Sequence, residues 1–404
     1  MTGTVAPAAD GRPGTVREVF AAFLALGVTS FGGPVAHLGY FREAFVVRRR
    51  WLDERAYAEL VALCQFLPGP ASSQVGMAIG LQRAGWLGML AAWTAFTLPS
   101  AFLMVAFAFG MGTFGWAADA GWIAGLKAAA VAVVANAVVG MARTLTPDRE
   151  RATIAVAAMI AVLAAPLGWT QLVVIAVAGL IGLVWLRPAA STEDHPVLAT
   201  SVPRWVGATS LALFGTLLVA LPIVAATMAS PLLRLADGFY RSGALVFGGG
   251  HVVLPLLEAE TVRTGLVSHD VFLAGYGAAQ AVPGPLFTFA AFLGYAADTA
   301  ANPALSAAVA LIAIFLPAAL LVVGALPFWE RLRRAPGAQS ALMGVNAAVV
   351  GLLAAALYSP IFLSDIPNVT ALSIAAAAFV ALTSWRTPAW AVVLAAGLAG
   401  ALLL

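Results

Sequence analysis

Gln65-Phe66-Leu67-Pro68-Gly69-Pro70 and Gln280-Ala281-Val282-Pro283-Gly284-Pro285 stand 215 residues apart, each inside a long apolar stretch. Two prolines flanking a glycine cannot sit in a regular helix. Proline has no amide donor, and it restricts the residue before it. The same break is therefore written twice. Working outward, Gly27 with Phe31-Gly32-Gly33 recurs as Gly243 with Phe247-Gly248-Gly249, at a shift of 216. Leu126–Val134 matches Leu342–Val350 at 216, and Pro99 after Phe96 is echoed by Pro317 after Phe315. Four landmarks in one order at nearly one shift identify two diverged copies of a single unit.

The chain has 404 residues, of which 62% are hydrophobic and 10% charged. Soluble domains carry about 25% charged residues. So much apolar surface needs lipid as its solvent, and in lipid all backbone polar groups must be paired within the chain. Long runs of Ala, Leu, Val and Gly, without strand-like alternation, select helices over a barrel. The fold class is an all-α polytopic membrane protein of two homologous helical repeats.

The net charge of +3 comes from arginines in short breaks between apolar runs. Positive-inside retention explains it, and no nucleic-acid partner is expected. Cys64 is the sole cysteine and the four histidines are scattered, so no metal centre is expected. A phosphate-binding loop and a nucleophile with its base are both missing from the sequence, which argues against an enzyme, a cofactor or a built-in ATP motor.

Apolar segments fall at 17–38, 57–82, 85–112, 118–144, 152–166, 169–187, 206–229, 232–254, 271–296, 303–328, 339–358, 369–384 and 388–404. The organisation read from them is a disordered tail (1–16), a first repeat (17–187), a polar linker (188–205), a linking helix (206–230) and a second repeat (231–404). One odd segment between two even units turns the second copy upside down, an architecture common among secondary transporters. With a cytoplasmic N-terminus, Arg83, Arg143, Arg149, Arg151, Arg187, Arg204, Arg331, Arg333, Arg334 and Arg386 fall inside. Arg42, Arg48, Arg49, Arg50 and Arg55 join them only if the first two segments of each copy are re-entrant, broken at Gly-Gly and at Pro-Gly-Pro.

Phe31-Gly32-Gly33-Pro34 and Phe247-Gly248-Gly249 break helices and leave amide groups free, which suits an anion. Each lies beside a histidine, His37 or His251. Gln65 and Gln280 precede Pro68-Gly69-Pro70 and Pro283-Gly284-Pro285 and offer amides to an oxyanion. Close helix packing and structural kinks are the bland alternatives. Lys127, the only lysine, and Arg241 are cations within apolar segments, where function competes with snorkelling. Arg241 corresponds to Ala25, so the copies differ in charge. Glu18, Glu59, Glu258 and Glu260 lie near segment ends and read as interfacial.

Phe31-Gly32-Gly33-Pro34-x-x-His37, Arg48-Arg49-Arg50-Trp51-Leu52, the first Pro-Gly-Pro and Gly80 resemble the first domain of the chromate ion transporter (CHR) family. Phe247-Gly248-Gly249-Gly250, Leu254-Pro255, the second Pro-Gly-Pro and Gly294-Tyr295 resemble its second domain. The resemblance covers nearly the whole chain, in the long two-domain form. It implies export of chromate, with sulfate as an analogue, from the bacterial cytoplasm through the inner membrane, driven by the membrane potential or a proton gradient. A homodimer is one assembly open to such a chain. A channel, or a membrane-embedded anion-binding or sensing component, is the alternative to coupled transport.

Overall fold

The computed structural model describes residues 14–31, 33–114, 121–165, 170–187, 202–228, 230–247, 253–299, 301–363 and 366–404. The 1–13 part of the expected tail, linker residues 188–201, and Gly32, Gly248, Gly249 and His251 lie outside them. Among the described residues the regular structure is entirely helical.

The first copy contains α1 (Val16–Thr29), α2 (Gly33–Phe41), α3 (Glu54–Phe66), α4 (Ala71–Phe114), α5 (Gly121–Leu145), α6 (Arg149–Ala164) and α7 (Thr170–Trp185). A single helix, α8 (Arg204–Met228), follows. The second copy contains α9 (Pro231–Ala244), α10 (Val253–Thr261), α11 (His269–Ala281), α12 (Phe289–Ala296), α13 (Pro303–Ala325), the short α14 (Trp329–Arg333), α15 (Pro336–Ala356), α16 (Val369–Thr383) and α17 (Ala389–Leu403). Five helices are long and apolar enough to cross a membrane: α4, α5, α8, α13 with its extension, and α15.

Helix starts repeat along with the breaks. Thr15 caps α1 and Ser230 caps α9; Asp53 caps α3 and Ser268 caps α11; Asp148 caps α6 and Asn368 caps α16. Each side chain accepts an otherwise unpaired amide of the first turn.

Three of the apolar segments read from sequence hold two helices each, and a fourth, 232–254, holds α9 and stops at the first residues of α10, which runs on to Thr261. The 17–38 segment breaks between α1 and α2, and 57–82 breaks at Pro68-Gly69-Pro70; 232–254 and 271–296 break at the equivalent places. The 14 residues of α1 reach about 21 Å, short of a hydrocarbon core of about 30 Å. Each pair doubles back. Gly14 donates to the Arg83 carbonyl (3.1 Å), and Trp51 Nε1 and Arg83 Nη2 both donate to Glu18 Oε1 (3.1 and 3.3 Å). The start of α1, the loop before α3 and residue 83 of α4 thus meet at one end. In the second copy Asp298, just past α12, donates to Leu266 in the turn before α11 (3.1 Å).

At Ala84 and Gly85 the backbone leaves the helical region and α4 reverses into two arms, 71–83 and 86–114. The arms touch through Gly80 and Gly88, where a Cβ on Gly88 would stand 2.3 Å from the Gly80 carbonyl oxygen. Gly294 approaches Ser306 in the same way, at 2.5 Å. Small residues also join the peripheral helices: Gly125 lies against Ala396 across α5 and α17, and Gly182 against Ser340 across α7 and α15. Lacking a hydrophobic drive between helices in lipid, such contacts gain from close packing.

Residues from different copies meet at three places. Trp329, after α13, donates to buried Glu59 in the middle of α3 (3.0 Å), and Ser340 at the start of α15 donates to Leu186 after α7 (2.9 Å). Lys127, near the start of α5, pairs with Asp270 at the start of α11.

Candidate functional site

The four breaks converge in crossed pairs. Gly69, in the first Pro-Gly-Pro, donates its amide to the Val246 carbonyl at 2.7 Å. Gly284, in the second, donates to the Ser30 carbonyl at 2.8 Å. Ser30 and Val246 occupy equivalent places, each one residue before the Phe-Gly-Gly. Each copy's Pro-Gly-Pro therefore closes on the other copy's Phe-Gly-Gly break, the reciprocity of a two-fold pairing. Gly69 and Gly284 have φ of +121° and +98°, a region open to glycine at little cost. A Cβ there would meet Ala318 (3.2 Å) or Ser100 Oγ (2.8 Å), again equivalent positions on the partner copy's long helices.

Polar side chains gather on the first-copy side. His37, in α2, is fully buried. Its Nε2 lies 3.2 Å from the Ser30 carbonyl that also receives Gly284, and its Nδ1 lies 3.3 Å from Ser72 Oγ. Gln74 Nε2 donates to Pro68 O (2.8 Å), which holds the Pro-Gly-Pro turn, and Ser100 Oγ donates to Thr97 O (3.0 Å). Several buried polar atoms lack a partner among the described residues: Ser30 Oγ, Ser73 Oγ, Gln74 Oε1, Thr97 Oγ1 and Gln280 Nε2. Buried polar atoms are normally satisfied, so a cluster of orphans beside helix breaks marks a place for a polar guest.

The residues singled out from sequence distribute unevenly. Gly33, Pro34, His37, Pro68, Gly69, Pro70, Gln280, Pro283, Gly284 and Pro285 lie at or beside the crossing. Gln65 is exposed, unlike its counterpart Gln280. Lys127 is engaged by Asp270, and Arg241 by both Asp237 and Glu260. Glu59 and Glu258, read as interfacial, are buried. Sequence reading missed Ser30, Ser72, Ser73, Gln74, Thr97 and Ser100. The available signal was Ser72-Ser73-Gln74 directly after Pro70, where the second copy has Phe287-Thr288-Phe289.

After each break a new helix begins, at Gly33, Ala71, Val253 and Leu286. Helix N-termini present free amides and a positive dipole end. With neutral hydroxyl and amide groups, they can bind an anion without a metal. Among the described residues no three His, Cys, Asp or Glu side chains converge as metal ligands.

The family model described as chromate transporter matches residues 17–183 and 233–401. A chromate transport protein of Pseudomonas aeruginosa is 31% identical, over 96% of this chain and 92% of its own. A chromate transport protein of Cupriavidus metallidurans is 27% identical, over 85% of this chain and 82% of its own. An uncharacterized transporter of Methanocaldococcus jannaschii is 27% identical over 84% and 82%. No solved structure matches the chain. With two matched segments that cover most of its length and repeat the doubled helix breaks, the chain belongs to the chromate transporter family, as a multi-pass membrane protein in the two-domain form.

Proposed function

We propose that the chain is a secondary transporter that exports chromate, or a related tetrahedral oxyanion such as sulfate, across the bacterial inner membrane. The observation that carries this reading is the crossing of the breaks. Supporting it, amide bonds tie each copy's Pro-Gly-Pro to the other copy's break, and buried polar atoms such as Ser30 Oγ and Gln280 Nε2 lack a partner among the described residues. Broken helices of two repeats meeting around a mid-membrane site are the recurring device of such transporters. The relatives named for chromate supply the substrate class.

Inversion of the second copy belongs to the same proposal. The first hairpins open beside Arg83, where the 86–114 arm of α4 begins, and the second open beside Lys127, near the start of α5. Those two places lie at opposite ends of the bundle if the 86–114 arm of α4 crosses it once. Rocking of one copy against the other about the crossing would alternate access, driven by the membrane potential or a proton gradient.

Inverted vesicles containing the protein test this reading. Chromate should be taken up, sulfate should compete, and an uncoupler should abolish accumulation. Flux that only follows the chromate gradient, indifferent to the uncoupler, would identify a channel. Binding without flux would identify a sensor.

A further inference from the structure

Asp237, Arg241 and Glu260 form an ionic triad between α9 and α10. Arg241 Nε donates to both carboxylate oxygens of Asp237 (3.2 and 3.1 Å), and its Nη2 contacts Asp237 Oδ2 and Glu260 Oε2, both at 2.9 Å. The side chains are largely withdrawn from solvent, with Asp237 8%, Glu260 21% and Arg241 27% exposed. Two carboxylates share one guanidinium, so the triad carries one negative charge in excess when fully ionised.

Among the described residues, the helices packed on the triad do not cancel that charge. α9 packs on α8 and α13, and α10 packs on α15. α13 and α15 carry no charged residue, and α8 carries only Arg204 at its far end. Arg234 on α9 points to the exterior. Glu258, also on α10, faces Arg263 and His269. In the first copy the equivalent positions are Ala21, Ala25 and Ala44, none of them charged. Gly238 makes room for the cluster, since a Cβ there would lie 3.0 Å from Glu260 Oε2.

We propose that this triad is the proton-binding site of the transporter, loaded with one proton for each oxyanion bound at the crossing. The inference rests on the transport reading above. The proton comes from water and sits on a carboxylate oxygen of Glu260 or Asp237; the remaining carboxylate keeps Arg241, and the cluster becomes neutral. No covalent bond of the protein changes. Arg241 lies five residues before Val246 in the crossing, three along α9 to Ala244 and two beyond its end, a span of at most about 12 Å. At that range an excess carboxylate and a dianion repel each other strongly in a weakly polar medium. Proton and oxyanion therefore favour each other's binding, by reciprocal linkage, and travel in the same direction, so that export is driven by the membrane potential acting on the one negative charge that remains and not by the proton gradient.

The full-length protein in proteoliposomes, with a trapped pH dye and a sulfate or chromate gradient, tests this. Wild-type oxyanion flux should carry a proton signal of the same direction and should rise as pH falls. In Glu260→Gln the proton signal should vanish and oxyanion exchange should lose its pH dependence. Glu54→Gln, on the surface pair with Arg42, should keep both. Should Glu260→Gln misfold, Asp237→Asn is read in its place. A wild-type proton signal in a folded triad variant overturns the proposal, as does oxyanion flux that follows sodium instead of protons. No oxyanion flux through the wild type overturns the transport reading itself, and this inference with it.

Discussion

Gly69 and Gly284 each do two things in one residue. Their amides close the crossed pairs, and their positive φ lets the turn form against a partner helix. Gly69→Ala or Gly284→Ala should cost about 1–3 kcal/mol from backbone strain and lower the melting temperature in detergent. Gly265→Ala is the matched control. Gly265 has φ +77° with open space around it, far from the crossing, so it should destabilise in the same way while leaving chromate transport intact. Loss of transport in Gly265→Ala would mean that strain alone, and not the crossing, accounts for the defect. The importance of these glycines was legible in the repeated Pro-Gly-Pro, because proline and glycine leave a chemical signature in sequence. Ser30 and Thr97 were not legible. A lone hydroxyl in an apolar run reads as an ordinary helix residue, and only three-dimensional proximity to Gly284 or Ser100 gives it meaning.

At the scale of helices, thirteen apolar runs were visible, and most of their ends fall within three residues of a helix end, whereas α10 runs to Thr261, past the 232–254 run. What hydropathy alone hid is that four of the runs double back. An apolar stretch of twenty-odd residues has the same mean hydropathy whether it spans or re-enters; the distinction lies in a few breaking residues and in the arginine imbalance at 42–55. Helix contacts are set by glycine faces, as between α7 and α15. A Cβ on Gly182 would stand 2.3 Å from the Ser340 carbonyl, and one on Gly344 would stand 2.1 Å from the Ala178 carbonyl. Gly182→Leu should therefore force the pair apart and cost about 1–3 kcal/mol or more by overpacking, read as loss of monodisperse protein on size-exclusion chromatography. Unchanged yield and melting would show that α7 and α15 are not packed in this register.

At the scale of the molecule, two diverged copies share their breaks and divide their polarity. The first holds Ser72, Ser73, Gln74 and His37 near the crossing, and the second holds the Asp237–Arg241–Glu260 triad. Cys64 is buried, so a background thiol will not confuse labelling of introduced cysteines. In the inverted arrangement, Arg49→Cys reacts with a membrane-impermeant reagent only from the cytoplasmic face, and Thr264→Cys only from the opposite face. Reaction of both from one face would rule out inversion. The repeat itself was plain in the sequence, whereas the crossed pairing of its breaks was not, because no local pattern says which copy a turn will close upon.

The central claim is that both copies build one oxyanion site at that crossing, and chromate binding to the purified protein tests it most directly. Ser30→Ala and Gln280→Leu each remove a buried polar atom that has no partner among the described residues. Deleting such an orphan should leave the fold as stable or more so. If the atom serves the oxyanion, affinity should fall by about 2- to 10-fold, the worth of a hydrogen bond of about 0.5–1.5 kcal/mol. One chromate should bind per chain, and either substitution should weaken it. Wild-type affinity in both folded variants, or two independent sites per chain, would contradict it.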